Sequence, residues 1–156
     1  MSRVQLALNV EDLDSAVGFY SKLFGTAPAK LRPGYANFAI EQPPLKLVLI
    51  EQSGAGGTLN HLGVEVESTD EVQRAQSRLA GEGLGTASED DVACCYARQD
   101  KVWVDGPSGE PWEIYTVLAD VEMPGGQLRT VDPDTGTQCC AVVEGNAVVA
   151  GSSACC

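Results

Sequence analysis

Positive charge, aromatic side chains and long apolar runs are all scarce in this chain of 156 residues. It has 10 Lys and Arg against 22 Asp and Glu, and the resulting net charge of −12 repels the phosphate backbone of nucleic acids. No apolar run approaches the roughly 18 residues that a membrane-spanning helix needs. We therefore expect neither a nucleic-acid partner nor a membrane partner. The apolar share of 44% is still enough for an ordinary globular core.

Spaced cysteines and a signal-peptide-like start are also missing. The opening segment MSRVQLALNVEDLDS has a short apolar stretch that acids soon interrupt, which predicts a first strand and a cytoplasmic protein. A disulfide between neighbouring residues closes a strained ring, so paired cysteines in a reducing compartment favour free thiols. Such pairs are either small apolar core residues or vicinal thiols that bind a soft atom. All six cysteines are paired in this way, as Cys94–Cys95, Cys139–Cys140 and Cys155–Cys156.

The chain contains one internal repeat. QLALNVEDLDSAVGFYSKLFG, from Gln5, aligns without gaps with HLGVEVESTDEVQRAQSRLAG, from His61, at an offset of 61 − 5 = 56. Each copy has a strand-like alternation, an acidic capping segment, a helical pattern and a closing glycine, at Gly25 and Gly81. Strand-like segments follow in each half: YANFAIE and LKLVLIE, then CCYAR, KVWVDG and WEIYTVL. The sequence therefore predicts an α+β fold in which two βαβββ modules form an open, cupped β-barrel.

We expect one domain over residues 1–119, with module one at 2–52 and module two at 58–119. The segment between them, QSGAGGT, is typical of a flexible linker. Residues 120–156 are rich in Gly, Pro and Ser, which predicts a tail that is flexible or loosely docked. CAVVEGNAVVA within it is compatible with a short strand pair. The sequence is compatible with a monomer and with a homodimer. In a monomer the active-site cup would close within one chain, and in a homodimer two chains could exchange modules to close it.

The repeat predicts a metal site. Gln5 and His61 occupy the same place in the two copies, and alignment of PLKLVLI with PWEIYTV places Lys46 opposite Glu113. Pseudo-twofold symmetry would bring these four side chains together in the cup. An amide oxygen, an imidazole nitrogen and a carboxylate can hold a divalent cation, as in the facial triad of non-haem iron enzymes with Gln replacing one His. Fe(II), Mn(II) and Co(II) all suit this ligand set, and a purely structural histidine is the alternative.

Several segments carry a resemblance to a known family: PGYANFAIEQPPLKLVLIE, GGTLNHLGVEVES, CCYARQDKVWV and EPWEIYTVLAD. Over about residues 2–118 the chain resembles the glyoxalase/bleomycin-resistance/extradiol-dioxygenase superfamily, which has the vicinal oxygen chelate fold. It looks most like the branch of organoarsenical carbon–arsenic lyases and their cadmium-induced relatives. The resemblance implies catalytic metal ligands at Gln5, His61 and Glu113, and substrate-binding thiols at Cys94 and Cys95.

The resemblance also implies an activity. It implies a lyase of the non-haem Fe(II) dioxygenase type, which uses dioxygen to cleave trivalent organoarsenicals, such as methylarsenite or aromatic arsenicals, and releases arsenite. Two adjacent thiolates suit this substrate because arsenic in R–As(OH)2 is thiophilic and has two exchangeable oxygens. The main alternative is a thiol protein that sequesters cadmium or arsenic without turnover. A drug-binding resistance protein, a glyoxalase-type isomerase and a ring-cleaving dioxygenase are further alternatives within the fold.

A second group of residues is predicted around the thiols, each with a structural alternative. Tyr96 and Lys101 are candidates for the approach to arsenic, although an ordinary strand edge explains them equally well. Aromatic residues would form a wall for the organic group, and more than half of them are expected to be plain core. The wall candidates are Tyr35, Phe38, Trp103 and Tyr115.

Overall fold

A computed structural model describes residues 2–122, 128–131, 138–144 and 147–150 of the chain. Two helices pack on a sheet of eight strands, and a separate sheet has three strands. The helices are α1 (Leu13–Phe24) and α2 (Thr69–Gly81). The strands of the large sheet are β1 (Arg3–Val10), β2 (Lys30–Arg32), β3 (Tyr35–Ile40), β4 (Leu45–Glu51), β5 (Leu59–Glu65), β6 (Ala87–Cys94), β7 (Ala97–Asp105) and β8 (Pro111–Asp120). The small sheet contains β9 (Leu128–Val131), β10 (Gln138–Glu144) and β11 (Ala147–Ala150).

The large sheet is built from two copies of one βαβββ unit. Its strand order is β2-β3-β4-β1-β5-β8-β7-β6, so each half carries its first strand parallel to its last. The two first strands, β1 and β5, pair antiparallel at the centre. This arrangement places a pseudo-twofold axis between them, and the sheet curls into a half-barrel. The predicted α+β fold of two βαβββ modules in an open cup is confirmed.

Local sequence signals set the ends of both helices. Asp12 caps α1, since its side chain accepts a hydrogen bond from the Ser15 amide at 2.7 Å, and Ser68 caps α2 in the same way. Gly25 ends α1 in the left-handed conformation, with φ of 64°, as the glycine signal predicts. α2 also ends at its predicted glycine, Gly81, although that residue is not left-handed. Gly81 is still helical, and the left-handed glycine after the helix is Gly83, with φ of 80°.

The two faces of the large sheet have different chemistry because strand residues alternate. One face packs under α1 as an apolar core, which includes Phe38, Leu47 and Leu49, all nearly inaccessible to solvent. The concave face is lined instead by buried polar side chains. Among them are Gln5, Lys46, His61, Gln99, Lys101 and Glu113. Polar residues buried this thoroughly belong in a functional site more often than in a core.

Beyond β8, strands β9 to β11 pair antiparallel as a sheet of their own, and they include the predicted strand pair in CAVVEGNAVVA. The domain limit at residue 119 and the loose docking of the tail stay predictions, and much of residues 120–156 lies outside the described residues, including Cys155 and Cys156. Within the described part of the chain, neither helix is long and apolar enough to cross a membrane.

Candidate active site

One row of residues crosses the concave face of the sheet and positions the predicted metal ligands. Lys46 on β4 pairs with Gln5 on β1, Gln5 pairs with Gly63 on β5, and Gly63 pairs with Glu113 on β8. Because Gly63 has no side chain, Gln5 and Glu113 meet above it. A Cβ at this position would lie 3.1 Å from Glu113 Cγ and 3.2 Å from Gln5 Cβ, so the glycine is needed for close approach.

The register of this row corrects the predicted symmetry. If module two repeated the pairing of Gln5 with Lys46, His61 would pair with Glu113, whereas the residue that pairs with Glu113 is Gly63. The slip is two residues, an even number, so the side chains remain on the same face. His61 therefore projects into the cup one step along β5, beside the other two ligands.

The three predicted ligands converge in a buried triad. Gln5 Nε2 lies 2.9 Å from His61 Nε2 and donates to Glu113 Oε1 at 2.7 Å, while His61 Nε2 lies 3.3 Å from the same oxygen. None of the three side chains is more than slightly exposed. Three polar groups that share one buried point form a ready position for a cation.

Asn60 orients the His61 ring. Its Oδ1 lies 2.6 Å from His61 Nδ1, and its Nδ2 donates to Asn9 Oδ1 at 2.8 Å, which fixes which end of the amide is the acceptor. His61 Nδ1 therefore carries the hydrogen, and in the neutral ring the lone pair on Nε2 faces the triad. Hydrogen bonding of the second ring nitrogen in this manner is what holds metal-ligating histidines in place.

The Gln5 amide is held so that either end can face the triad. Its Oε1 accepts from Tyr115 Oη at 2.6 Å, and the same hydroxyl lies 3.1 Å from Glu65 Oε2. As a metal ligand, Gln5 would turn its amide by half a revolution and present Oε1. Its Nε2 would then donate to Tyr115 Oη, which would donate to Glu65, and every polar group would keep a partner.

Two buried lysines set the charge of the cup. Lys101 Nζ donates to Glu113 Oε2 at 2.9 Å, which leaves Oε1 for the triad. Burial opposes ionisation of Glu113, but Lys101 and His61 outweigh it and hold the pKa of the carboxyl below its usual range. Lys46 Nζ lies 3.4 Å from Glu65 Oε2, and burial lowers its pKa despite that partner. As long as Lys46 is an ammonium, it supplies no fourth ligand.

These donors fit a divalent metal of intermediate softness, since an imidazole nitrogen combines with amide and carboxylate oxygens. Among the described residues there is no cluster of three or more His, Cys, Asp or Glu side chains with metal-binding geometry. The triad therefore depends on its amide, which is a weak ligand.

Cys94 and Cys95 lie at a tight hairpin turn, Cys94 as the last residue of a strand and Cys95 as the first residue of the loop. Cys94 ends β6 and pairs with Ala97, so Cys95 and Tyr96 form a two-residue loop, and the predicted strand CCYAR is wrong at its centre. Both loop residues have positive φ, 53° and 64°, a pairing that two-residue turns normally achieve with Asn and Gly. The strain costs on the order of 1–3 kcal/mol per residue, and such strain gathers at functional sites.

Tyr96 anchors this turn. Its ring packs 5.5 Å from the Tyr35 ring, its hydroxyl donates to the Pro33 carbonyl, and its own carbonyl accepts from Lys30 Nζ at 3.1 Å and from the Val121 amide at 3.0 Å. The side chain is buried against the cup wall. These contacts hold the turn above the triad and offset the backbone strain.

The two thiols of the turn differ in acidity. Cys94 Sγ and Cys95 Sγ are 3.2 Å apart, and both side chains are partly buried. The hydrogen bond from Cys95 outweighs burial and, with Lys101 nearby, lowers the pKa of Cys94 to about 7. The same bond, burial and the Cys94 charge raise the pKa of Cys95 well above its usual value. As the pH rises through about 7, Cys94 therefore becomes a thiolate while Cys95 remains a thiol.

The difference in pKa between Cys94 and Cys95 predicts the pH dependence of thiol reactivity in the metal-free protein. The thiolate is the nucleophile, so methylation of Cys94 by iodomethane should rise with pH around a midpoint of about 7 rather than the usual 9.0. Peptide mass mapping across pH 5–9, roughly two units either side of the midpoint, measures it. Cys95→Ala removes the hydrogen bond and should move the midpoint upward. A midpoint near that of a free thiol in both proteins would contradict the assignment.

A cleft of about 450 Å³ joins the triad to the thiols. Its lining includes Trp103, whose ring meets His61 edge-on at 5.6 Å, and Tyr35. Phe38, by contrast, lies in the core under α1, and Tyr115 positions Gln5 from beneath.

Three residues of the site were not predicted from the sequence. Gly63, Asn60 and Gln99 have ordinary neighbours in the sequence. Alternation along β5 and β7 could have indicated the face of Gly63 and Gln99, but it would place Asn60 on the face opposite to His61.

Comparison with known proteins agrees with this geometry. The model of the glyoxalase/bleomycin resistance protein/dioxygenase superfamily matches residues 3–114. The trivalent organoarsenical cleaving enzyme of Thermomonospora curvata is 66% identical over 123 residues, which are 78% of this chain and 82% of that protein. The cadmium-induced protein CadI of Mycobacterium bovis is 60% identical over 142 residues, 90% of this chain and 93% of that protein.

Among solved structures, an extradiol ring-cleaving dioxygenase from B. fuscum matches with a TM-score of 0.56 at 22% identity. The match covers 77% of this chain and 34% of that one, and it shows the fold alone. The predicted resemblance, including the organoarsenical and cadmium-induced branch, is confirmed by these relatives. The chain belongs to the glyoxalase/bleomycin resistance protein/dioxygenase superfamily.

Proposed function

We propose that this chain is a cytoplasmic, Fe(II)-dependent enzyme that uses dioxygen to cleave the carbon–arsenic bond of trivalent organoarsenicals and releases arsenite. The observation that carries the proposal is one cleft lined by both the amide–imidazole–carboxylate triad and the vicinal thiols. A ring-cleaving enzyme or an isomerase of this fold has no need of paired thiols, and a simple metalloid trap has no need of the triad. The name of the Thermomonospora curvata relative supports the same substrate class.

The different pKa values of Cys94 and Cys95 suggest the order in which the two thiols bind the substrate. The Cys94 thiolate displaces one hydroxide from R–As(OH)2 and forms the first arsenic–sulfur bond. Cys95, still a thiol, displaces the second oxygen and supplies the proton with which it leaves as water. The product is R–As bound to two sulfurs, and one hydroxide and one water are released. The turn thus holds arsenic at two points and leaves the organic group free to face the triad, which is catalysis by positioning.

Gln5, His61 and Glu113 would hold the metal. When bound, ferrous iron would supply the electrons and Lewis acidity that make dioxygen reactive toward a carbon–arsenic bond. The chain contributes orientation of His61 through Asn60, charge balance of Glu113 through Lys101, and exclusion of a fourth protein ligand through Lys46. For methylarsenite the reaction balances as CH3As(OH)2 and O2 giving CH2O and As(OH)3, in which carbon loses four electrons, dioxygen gains them and arsenic remains trivalent.

A second candidate function is sequestration of arsenic or cadmium by thiols without turnover. The similarity to the cadmium-induced protein CadI favours it, together with a thiol pair whose first member is readily ionised. The two candidates differ in whether arsenite is formed.

The deciding experiment loads the reduced, metal-free chain with Fe(II) under nitrogen, adds methylarsenite, admits air and measures arsenite by chromatography with elemental detection. We expect arsenite only when iron and oxygen are both present. Samples loaded with Mn(II) or Co(II) show which cation serves, and trivalent phenylarsenicals show whether aryl groups are accepted. Tight arsenic binding with no arsenite under any of these conditions would overturn cleavage in favour of sequestration.

A further inference from the structure

Gln99 is a buried polar residue that the proposed chemistry has not yet used. Its side chain is 5% exposed, and its Oε1 has no hydrogen-bond partner among residues 2–122. A buried carbonyl oxygen without a donor is uncommon in native proteins, and each case calls for a ligand, a water or a functional explanation. Gln99 lines the cleft that holds the triad and the thiols, so its side chain lies next to any ligand that occupies that cleft.

The position of Gln99 is set by β7. Gln99, Lys101 and Trp103 alternate along this strand and all line the cleft, which places Gln99 at the end nearest the thiol turn. Across the hairpin Gln99 pairs with Val92, two residues before Cys94. A second cleft, of about 700 Å³, meets the first at four shared residues, Tyr35, Lys46, Cys95 and Gln99. Gln99 and Cys95 therefore lie together where the two clefts join.

The two buried lysines of the cleft already have carboxylate partners. Lys101 Nζ donates to Glu113, and Lys46 Nζ lies beside Glu65. A ligand with a hydrogen-bond donor can supply the partner that Gln99 Oε1 lacks among the described residues. Of the groups on a trivalent organoarsenical R–As(OH)2, the hydroxyls on arsenic have such a hydrogen, whereas a methyl or phenyl group has none.

We propose that Gln99 is a substrate-binding residue whose side-chain oxygen accepts a hydrogen bond from the arsenic hydroxyl that remains after the first thiolate has bound. The inference rests on the proposed capture by Cys94 and Cys95, and it adds a third binding group to that site. With its hydrogen on Gln99, the hydroxyl oxygen turns its lone pairs toward the Cys95 S–H. The proton of Cys95 then passes to that oxygen, water leaves, and the second arsenic–sulfur bond forms.

The test compares two reactions of the same thiols in the metal-free, full-length chain. Quench-flow with mass spectrometry measures the rate at which methylarsenite becomes bound to both cysteines. Iodomethane, which has no hydrogen-bond donor, measures the intrinsic reactivity of the turn. All proteins carry serine at the four tail cysteines, Cys139, Cys140, Cys155 and Cys156, so that only the turn reacts. The ratio of the capture rate to the methylation rate isolates recognition of the hydroxyl.

Gln99→Met keeps the length of the side chain and removes the acceptor, and it should lower this ratio about 5- to 30-fold, the effect of one lost hydrogen bond. Gln99→Glu keeps an acceptor oxygen. Its added charge changes the reactivity of the thiols in both reactions, so it largely cancels in the ratio, which should stay within about 3-fold of the parent. If Gln99→Met does not fold, Gln99→Asn withdraws the acceptor by one methylene and should lower the ratio in the same direction.

An unchanged ratio in Gln99→Met, or equal loss in Gln99→Met and Gln99→Glu, would overturn the proposal and leave Gln99 as a ligand of a water or a structural residue. Arsenite release by the unsubstituted chain is measured separately. Failure of that assay refutes cleavage, while the capture ratio still tests Gln99, so the two failures are distinguishable.

Discussion

Alanine in place of His61 is expected to lower iron-dependent arsenite release at least about 100-fold, since loss of a mere supporting residue of a metal ligand already costs 10–100-fold. His61 Nε2 faces Gln5 and Glu113 at 2.9 and 3.3 Å, and its removal leaves a weak amide and one carboxylate to hold the cation. Elemental analysis should show that bound iron falls in parallel. Capture of arsenic by Cys94 and Cys95 should persist, because the thiol turn is held by its own contacts.

The matched control for this variant is Asn37→Ala. Asn37 lines the second cleft and donates to Tyr35 Oη at 3.0 Å, but it does not touch the triad. It should retain iron and arsenite release. Thermal unfolding of both variants separates a lost ligand from a lost fold, since His61 also packs against Trp103. Iron content and arsenite release that survive in His61→Ala would refute the triad as the metal site.

Serine in place of either Cys94 or Cys95 is expected to weaken methylarsenite binding by about 100-fold or more, because a two-point attachment gains 10²–10⁴ over a single one. Arsenite release should fall with it, while the iron content stays normal. Equilibrium dialysis with elemental detection of arsenic measures the binding. The rate of arsenic binding should fall most in the Cys94 variant, because the Cys94 thiolate makes the first bond.

The chain contains its own control for this prediction, a second vicinal pair at Cys139–Cys140. Cys139→Ser and Cys140→Ser change the same chemistry at a distance along the chain from the turn, in strand β10 of the small sheet. These variants should keep arsenite release within about 2-fold of the parent, because the proposed capture uses Cys94 and Cys95 alone. If release follows the tail pair instead of Cys94 and Cys95, the substrate site has been misplaced.

Most of the architecture was predictable because its signals are local. Alternating residues in β1 and β5, helix-capping side chains at Asp12 and Ser68, and a glycine after α1 each act within a few positions of the chain. The internal repeat then related the two modules and brought Gln5, His61 and Glu113 to one cup without any knowledge of contacts. Local signals failed where a short segment suited two structures, as in CCYAR, whose apolar residues favour a strand but whose centre forms a turn.

The sequence by itself determined the two βαβββ modules, the ligand types and the presence of vicinal thiols, since periodicity and residue chemistry are properties of the chain. Only the tertiary structure decided how the modules register. The two-residue slip sets Glu113 beside Gly63, and the left-handed turn brings Cys94 and Cys95 over the triad. Strand β7 leaves the Gln99 oxygen buried beside the cleft, with no donor among the described residues. These features depend on pairing between strands far apart in the chain and on burial, and neither is encoded in any short stretch of residues.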